Sequence, residues 1–434
     1  MPNKKTLKWL VTALIAVTFS MTIFANGNKE AAGPVTVTMA FPIAVDAPIT
    51  DLLNGYADEF MKDHPNVTVK LVYSGGYTDV KTMIQTTIDG GGDAPSLGVM
   101  LATDLFDLAN AQYIEPITGY VNKAGKSYLN DFLPAFMENS YYMDELWSLP
   151  FQRSAVVIYY NADLLKEKGL AVPDSWDSLA KAAAALTSRE GGEVSRWGIE
   201  WPTEWPYWLF QPLAMGAGKN IVGSSDTEVY FDTPEDIEAI KYYNALSSEY
   251  KATPPGVQSA WGSSVPNFVS GNTAMIVHSS GSLSQILSQA KFKVGVMGVP
   301  GKKAGTYFSV PGGGNIYMIA GMDDTEKAAA FEFAKFLTDP SRAADFSIAT
   351  GYVATRKSAK DDPKLKAYIA EHPQVLQVQE ALSAAGKELA VQNLGEVRGI
   401  FHKYLQAAFN GEMTPEDAMA RAQKEADAAL ADFR

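Results

Sequence analysis

Between residues 201 and 208 the chain reads WPTEWPYW, placing Trp201, Trp205, Tyr207 and Trp208 within eight positions. Large rings with one polar edge wall binding pockets, and they also pack helices together. Two prolines in the stretch disfavour a regular element, so the rings are expected on a loop or at an irregular helix start. Tyr77 in SGGYTD and Tyr352 in TGYVAT each follow a glycine at a turn between elements, where a phenol can face a ligand or sit as an ordinary half-buried ring. Arg398 lies in LGEVRGIFHKYLQAAF, beside an apolar face of Val397, Ile400, Phe401, Tyr404 and Leu405. An arginine there either snorkels to water or turns its planar fork toward an anion.

Catalytic chemistries find less support. The histidines, His64, His278, His372 and His402, are far apart and show no HExxH spacing, so no zinc site is expected. The stretch PGGGN, Pro311 to Asn315, lacks the Lys and Ser/Thr of a phosphate-binding P-loop, and the apolar run Ile316–Ala320 follows it where a helix would be needed. Three glycines in a row cost backbone entropy, so they are expected where dihedrals are unusual or where something approaches the backbone closely. SSGS, Ser279 to Ser282, lacks the glycine spacing of a nucleophile elbow. There is no cysteine, which excludes thiol catalysis, disulfides and a lipid-modified cysteine after a leader. The 49 acidic residues are too many to single out a catalytic pair.

The elements that must hold these residues alternate in kind. β-Branched or apolar runs (VTVTMAFP, NVTVKLVYS, SLGVMLA, AVVIYYN, TAMIVHSS, KFKVGVMGV, NIYMIAG) are separated by amphipathic stretches such as TDVKTMIQTTID and SWDSLAKAAAAL. Such alternation argues for βαβ units, an α/β class and a mainly parallel sheet. The C-terminal third reads as mostly helical. In its last helix Thr414 is placed to cap, Pro415 suits the first helical position and Asp417 can reach back in a capping box.

The chain has 434 residues, 47% of them hydrophobic and 20% charged, which is enough for two domains with separate cores. Residues 1–25 carry Lys4, Lys5 and Lys8 before an apolar run ending at Ala25, the layout of a signal peptide. An uncleaved anchor is the alternative, although the run is at the short limit for a span. Loss of the three lysines takes the formal charge from −13 to −16. An acidic exported protein of this kind is not expected to bind nucleic acid through its overall field.

Taken together, these residues resemble the family-1 extracellular solute-binding proteins of ABC importers, and within them the glycerol-phosphate branch. The likeness runs from SGGYTDVKTMIQTTIDGGGDAPSL through SLPFQRSAVVIYYNADLLKEKGL, WPYW, MIVHSSGSL, PGGGNIYMIAG and ATGYVAT to LGEVRGI and NGEMTPEDA. It implies a two-lobed periplasmic-binding-protein fold of type II with the ligand cleft between the lobes. One lobe would hold residues 33–152 and 315–350, the other 155–311 and 352–434, with crossings near PFQRSA and PGGGN. It also implies ligand-binding roles for Tyr77, Ser154, Trp205, Trp208, Ser280, Gly313, Tyr352 and Arg398. Arg398 would grip a phosphate bidentately, Gly313 would offer a backbone N–H, and the tryptophans would pack on glycerol carbons. Where the family has an acid that accepts bonds from the glycerol hydroxyls this chain has Ala102, and Asp104 is the nearby substitute.

The expectation is a monomeric, non-enzymatic, periplasmic subunit without cofactor or metal. It would bind sn-glycerol-3-phosphate or a glycerophosphodiester and deliver it to membrane permease subunits. A sugar or oligosaccharide binder would use the same tryptophans without the arginine. A secreted hydrolase of glycosides or phosphodiesters is the rival from another class; a glycosidase would need two carboxylates about 5–9.5 Å apart across the cleft.

Overall fold

The computed structural model describes residues 33–434, so the signal peptide expected over residues 1–25 lies outside the described residues. Eight strands form one sheet: β1 (Val35–Phe41), β2 (Val67–Tyr73), β3 (Leu97–Leu101), β4 (Ile114–Glu115), β5 (Ser148–Asn161), β6 (Met275–Ser279), β7 (Val294–Met297) and β8 (Pro311–Ile319). The helices that matter for the site are α1 (Ile49–Asp63), α2 (Tyr77–Asp89), α3 (Leu105–Asn110), α4 (Pro206–Ala217), α5 (Trp261–Ser270) and α6 (Leu394–Phe409). Helices alone follow β8, as far as Phe433.

Local sequence accounts for most of these elements. α1 buries Ile49, Leu53, Tyr56, Ala57 and Phe60, a stripe at helical spacing. α2 starts where the Asp79 carboxylate accepts the Gly76 N–H at 2.7 Å, and buries Tyr77, Val80 and Ile84. β5 is buried along its whole length, as a strand covered on both faces must be. The sheet is not mainly parallel, contrary to the expectation from alternation. Only β1 pairs parallel, with β2 and β3, whereas β8 runs antiparallel to β3 and β5, and β5 antiparallel to β6 and β7.

β5 changes partners midway. From Ser148 to Ala155 it pairs with β8, and from Val156 onward with β6 and β7. The change lets one strand serve two cores. The first gathers Val37, Phe60, Leu97, Phe151, Ile316 and Phe331; the second gathers Val156, Trp201, Leu213, Val277, Phe401 and Met419. Burying one such side chain stabilises by about 1.5–3 kcal/mol, so both cores contribute to holding the fold. Among the described residues no helix is long and apolar enough to cross a membrane.

Candidate functional site

A cavity of about 350 Å³ opens between the two cores, where β5 leaves β8. Six of the nine expected residues line it: Tyr77, Ser154, Trp205, Trp208, Gly313 and Tyr352. Tyr77 is delivered by the first turn of α2, and its hydroxyl donates to Gln152 Oε1 at 3.0 Å and lies 3.3 Å from the Tyr352 hydroxyl. Burial holds both phenols neutral, Tyr352 pushed up to about 12 and Tyr77 well above its usual value. With the Tyr77 proton on Gln152, Tyr352 donates to Tyr77 over the longer 3.3 Å contact, and its proton is the one a ligand could compete for.

The three glycines are approached by the protein itself. A Cβ on Gly312 would overlap the Trp208 indole, and one on Gly314 would overlap the Tyr77 ring. Gly313 between them has φ +88, a left-handed conformation that favours glycine, and its carbonyl accepts a bond from Arg153 Nη1 at 3.2 Å. The glycines thus bring two aromatic walls of the cavity onto the backbone of β8.

WPYW is helical from its second residue. Pro206 occupies the first position of α4, where its missing N–H costs nothing, so Tyr207 and Trp208 sit in a regular first turn and not on a loop. The Trp208 indole N–H donates to the Pro311 carbonyl at 2.8 Å. Trp201 belongs to the core, with its indole N–H on the Leu209 carbonyl. Trp261, which sequence reasoning missed, completes the wall: its ring centroid lies 6.4 Å from Trp205 and 6.2 Å from Trp208. Its other face stacks on His278, which burial lowers to about 4 and so keeps neutral. Removing the Trp205 ring should weaken binding of a ligand seated on this wall about fivefold, from roughly 1 kcal/mol of aromatic contact. Indole fluorescence titration of Trp205→Ala against the unaltered protein measures this; equal affinities would return Trp205 to a packing role.

Three expected residues lie elsewhere. Ser280 does not line the cavity: its hydroxyl accepts the Ala155 N–H at 3.0 Å, the amide left without a partner where β5 leaves β8, and Ser279 lines the cavity in its place. Asp104 is buried and pairs with Lys81 Nζ at 2.9 Å, so it is not a free acceptor for hydroxyls. Arg398 stands one ring behind the wall, its guanidinium 5.6 Å from the centroid of Tyr207, which does line the cavity. Burial lowers its basicity, but Tyr207 and Asp104 outweigh that and raise its pKa. Its Nη1 is buried without a partner.

The acid that does face the cavity is Glu388. Burial pushes its carboxyl up to about 8, opposed by Arg153 and Arg398. Arg153 Nη2 stands 3.9 Å away, too far for a hydrogen bond, which is why burial prevails over the ion pair. Arg153 is fully buried over the Phe136 ring, and its Nε and Nη2 also lack partners. A lone charge in the otherwise apolar run around SLPFQRSAVVIYY was the signal for Arg153; GKELAVQN carries none for Glu388. Among the described residues no group of three or more acids and histidines could hold a metal ion.

Two cores joined by a strand that serves both, with an aromatic cavity at the junction, define a two-lobed solute-binding fold. Residues 55–374 match the family model for bacterial extracellular solute-binding proteins, and the chain belongs to that family. It is the binding subunit of an ABC importer, not an enzyme. Curated relatives include the sn-glycerol-3-phosphate-binding periplasmic protein UgpB of Pectobacterium atrosepticum, 25% identical over 88% of each chain. UgpB of Escherichia coli K12 is 24% identical over 94% of each. Among solved structures, UgpB from Mycobacterium tuberculosis in complex with glycerophosphocholine has a TM-score of 0.80 at 21% identity, covering 91% of this chain and 98% of that one. Maltose-bound MalE3 of T. maritima has a TM-score of 0.79 at 24% identity, covering 92% and 100%.

Proposed function

We propose that this subunit works outside the cytoplasm, in the periplasm and as a monomer, and takes sn-glycerol-3-phosphate or a glycerophosphodiester to its permease. The observation that carries the reading is a pair of buried guanidinium groups with unpartnered N–H groups just behind the cavity lining, Arg398 against Tyr207 and Arg153 near Glu388. Burial raises the Glu388 carboxyl and so favours its neutral form, and Lys81, Arg153 and Arg398 then face the two carboxylates Asp104 and Asp107, a surplus of one positive charge that suits an anion. The protonated Glu388, Tyr352 and Ser154 add donors for phosphate or hydroxyl oxygens. A cavity of about 350 Å³ is near the lower end for small-molecule sites, which favours a compact ligand over a long oligosaccharide.

A neutral sugar is the second reading, because none of the residues that line the cavity is a lysine or arginine while three are tryptophans. A thermal-shift panel of sn-glycerol-3-phosphate, glycerophosphocholine, maltose and inorganic phosphate separates the two, since a ligand of the native state alone raises stability by mass action. A shift with maltose and none with either glycerol phosphate would replace the first reading by the second.

The lobes we assign are residues 33–152 with 315–350 and residues 155–311 with 352–434, hinged where β5 changes partners and at Gly313. Closure about the ligand follows from such a hinge. Small-angle scattering should show a smaller radius of gyration at saturation, and an unchanged radius under a ligand proven to bind would count against the hinge.

A further inference from the structure

α6, the helix of Arg398, begins without a cap of its own. The residue before it, Asn393, has φ +50, and its side chain makes no capping bond. The leading amide is satisfied from the other core instead: Leu394 N–H donates to Asp107 Oδ1 at 3.2 Å. Asp107 belongs to α3, whose Leu105 and Leu108 pack with Ala40 and Met100, whereas Leu394 and Val397 pack in the second core. An aspartate there also faces the positive end of the helix dipole.

Beside this cap lies a closed ring of side-chain hydrogen bonds. Tyr142 Oη donates to Asn110 Oδ1 at 2.9 Å, Asn110 Nδ2 donates to Gln392 Oε1 at 2.7 Å, and Gln392 Nε2 donates to Tyr142 Oη at 3.1 Å. Each member gives one bond and takes one, which makes the ring sensitive to loss of any member. Gln392 is also held on its own side, its Nε2 on Asp226 Oδ2 at 2.8 Å and its N–H on the Asp226 carbonyl at 2.7 Å. Gln392 stands four residues after Glu388 and six before Arg398.

We propose that Asp107, Asn110 and Tyr142 are positioning residues for the ligand: they reach across the cleft and fix the Glu388–Arg398 segment so that Glu388 faces the cavity and Arg398 lies behind Tyr207. The inference rests on the cavity being the ligand site, but not on which ligand it takes. The bonds form between the two cores, so their loss releases the segment without removing anything that touches the ligand. A net hydrogen bond corresponds to about a fivefold change in an equilibrium constant.

The test uses the full chain carrying Asn110→Ala, Asp107→Ala, or both, with Asp107→Asn as the conservative control that keeps an acceptor. In the ligand-free protein, hydrogen exchange over residues 388–398 should quicken about fivefold in each alanine variant and less in Asp107→Asn, with a smaller change in the strands of either core. Stopped-flow binding of sn-glycerol-3-phosphate, or of whichever probe the unaltered protein binds, should show dissociation about tenfold faster in the double variant and association little changed. Unchanged exchange over 388–398 overturns the proposal whatever the ligand panel shows. Exchange that quickens equally in both cores, as uniform destabilisation would give, also overturns it. Failure of every panel ligand to bind the unaltered protein speaks against the proposed ligand class and leaves the exchange result to decide the positioning role.

Discussion

Replacing Arg398 by alanine should weaken binding of sn-glycerol-3-phosphate by at least about tenfold. Hydrogen bonds from a guanidinium to a charged group are worth roughly 1.5–3 kcal/mol each, and 1.4 kcal/mol already corresponds to tenfold. Arg398 Nη1 is buried with no partner, so a bound phosphate oxygen would gain a bond without competing against one inside the protein. For the fork to reach the cavity, Tyr207 must swing or the cleft must close further, because that ring stands between them. Arg398→Lys should rescue only part, since an ammonium keeps the charge and loses the planar fork. Isothermal calorimetry on the two variants, with maltose as the neutral comparator, gives the answer. Unaltered glycerol-3-phosphate affinity in Arg398→Ala would leave Arg153 as the cation of the site and Arg398 as a packing residue behind Tyr207.

Element types were legible along the chain because each rests on local pattern. Tyr77, Val80 and Ile84 fall on one face of α2 by spacing alone, and the unbroken apolar run of β5 reads as a covered strand. Strand direction was not legible. Alternation of strands and helices suggests parallel pairing, but β8 returns between β3 and β5 from a distant part of the chain, and nothing within nine residues encodes that placement. The same limit explains Pro206: a proline disfavours a helix interior and suits a helix start, and only the course of the chain decides which it meets.

The site divides along the same line. Tyr77, Trp208 and Gly313 carry local signals, a glycine-led turn, an aromatic cluster and a glycine run. Ser279 lines the cavity in place of Ser280, because β6 ends at Ser279 and the next hydroxyl turns back to serve the β5 amide. Arg398 lies behind Tyr207 and not in the cavity lining, because the ring in front of it comes from α4, nearly 200 residues away in sequence. Glu388 had no signal at all: its contact with Asn139 spans 249 positions, and a glutamate between a lysine and a leucine reads as surface. The bonds that hold it are long-range, so local pattern could not find it.

Glu388 should make the ligand-free protein lose stability as pH rises. An unfolded glutamate titrates near 4.5, and in the fold burial raises this one to about 8. Between those values the native state keeps a proton that the unfolded chain has released, so each step up in pH favours unfolding. The contribution is fully present below the unfolded value and is lost as pH rises through about 8, at up to about 1.4 kcal/mol per pH unit. Asp236 and Glu200 are also raised by burial and act in the same direction, so the slope of the unaltered protein alone does not isolate Glu388. Glu388→Gln isolates it, because the amide keeps the shape and does not titrate. Urea midpoints at pH 5.5, 7 and 8.5 should converge or cross, with the unaltered protein falling more steeply and the glutamine variant gaining on it toward the alkaline end. Arg153 sharpens the test: were the 3.9 Å pair a true buried ion pair, the carboxyl would be charged throughout this range and the two lines would run parallel. Parallel lines would therefore make Glu388 a counterion for Arg153, and the proton it offers to a phosphate would have to be withdrawn.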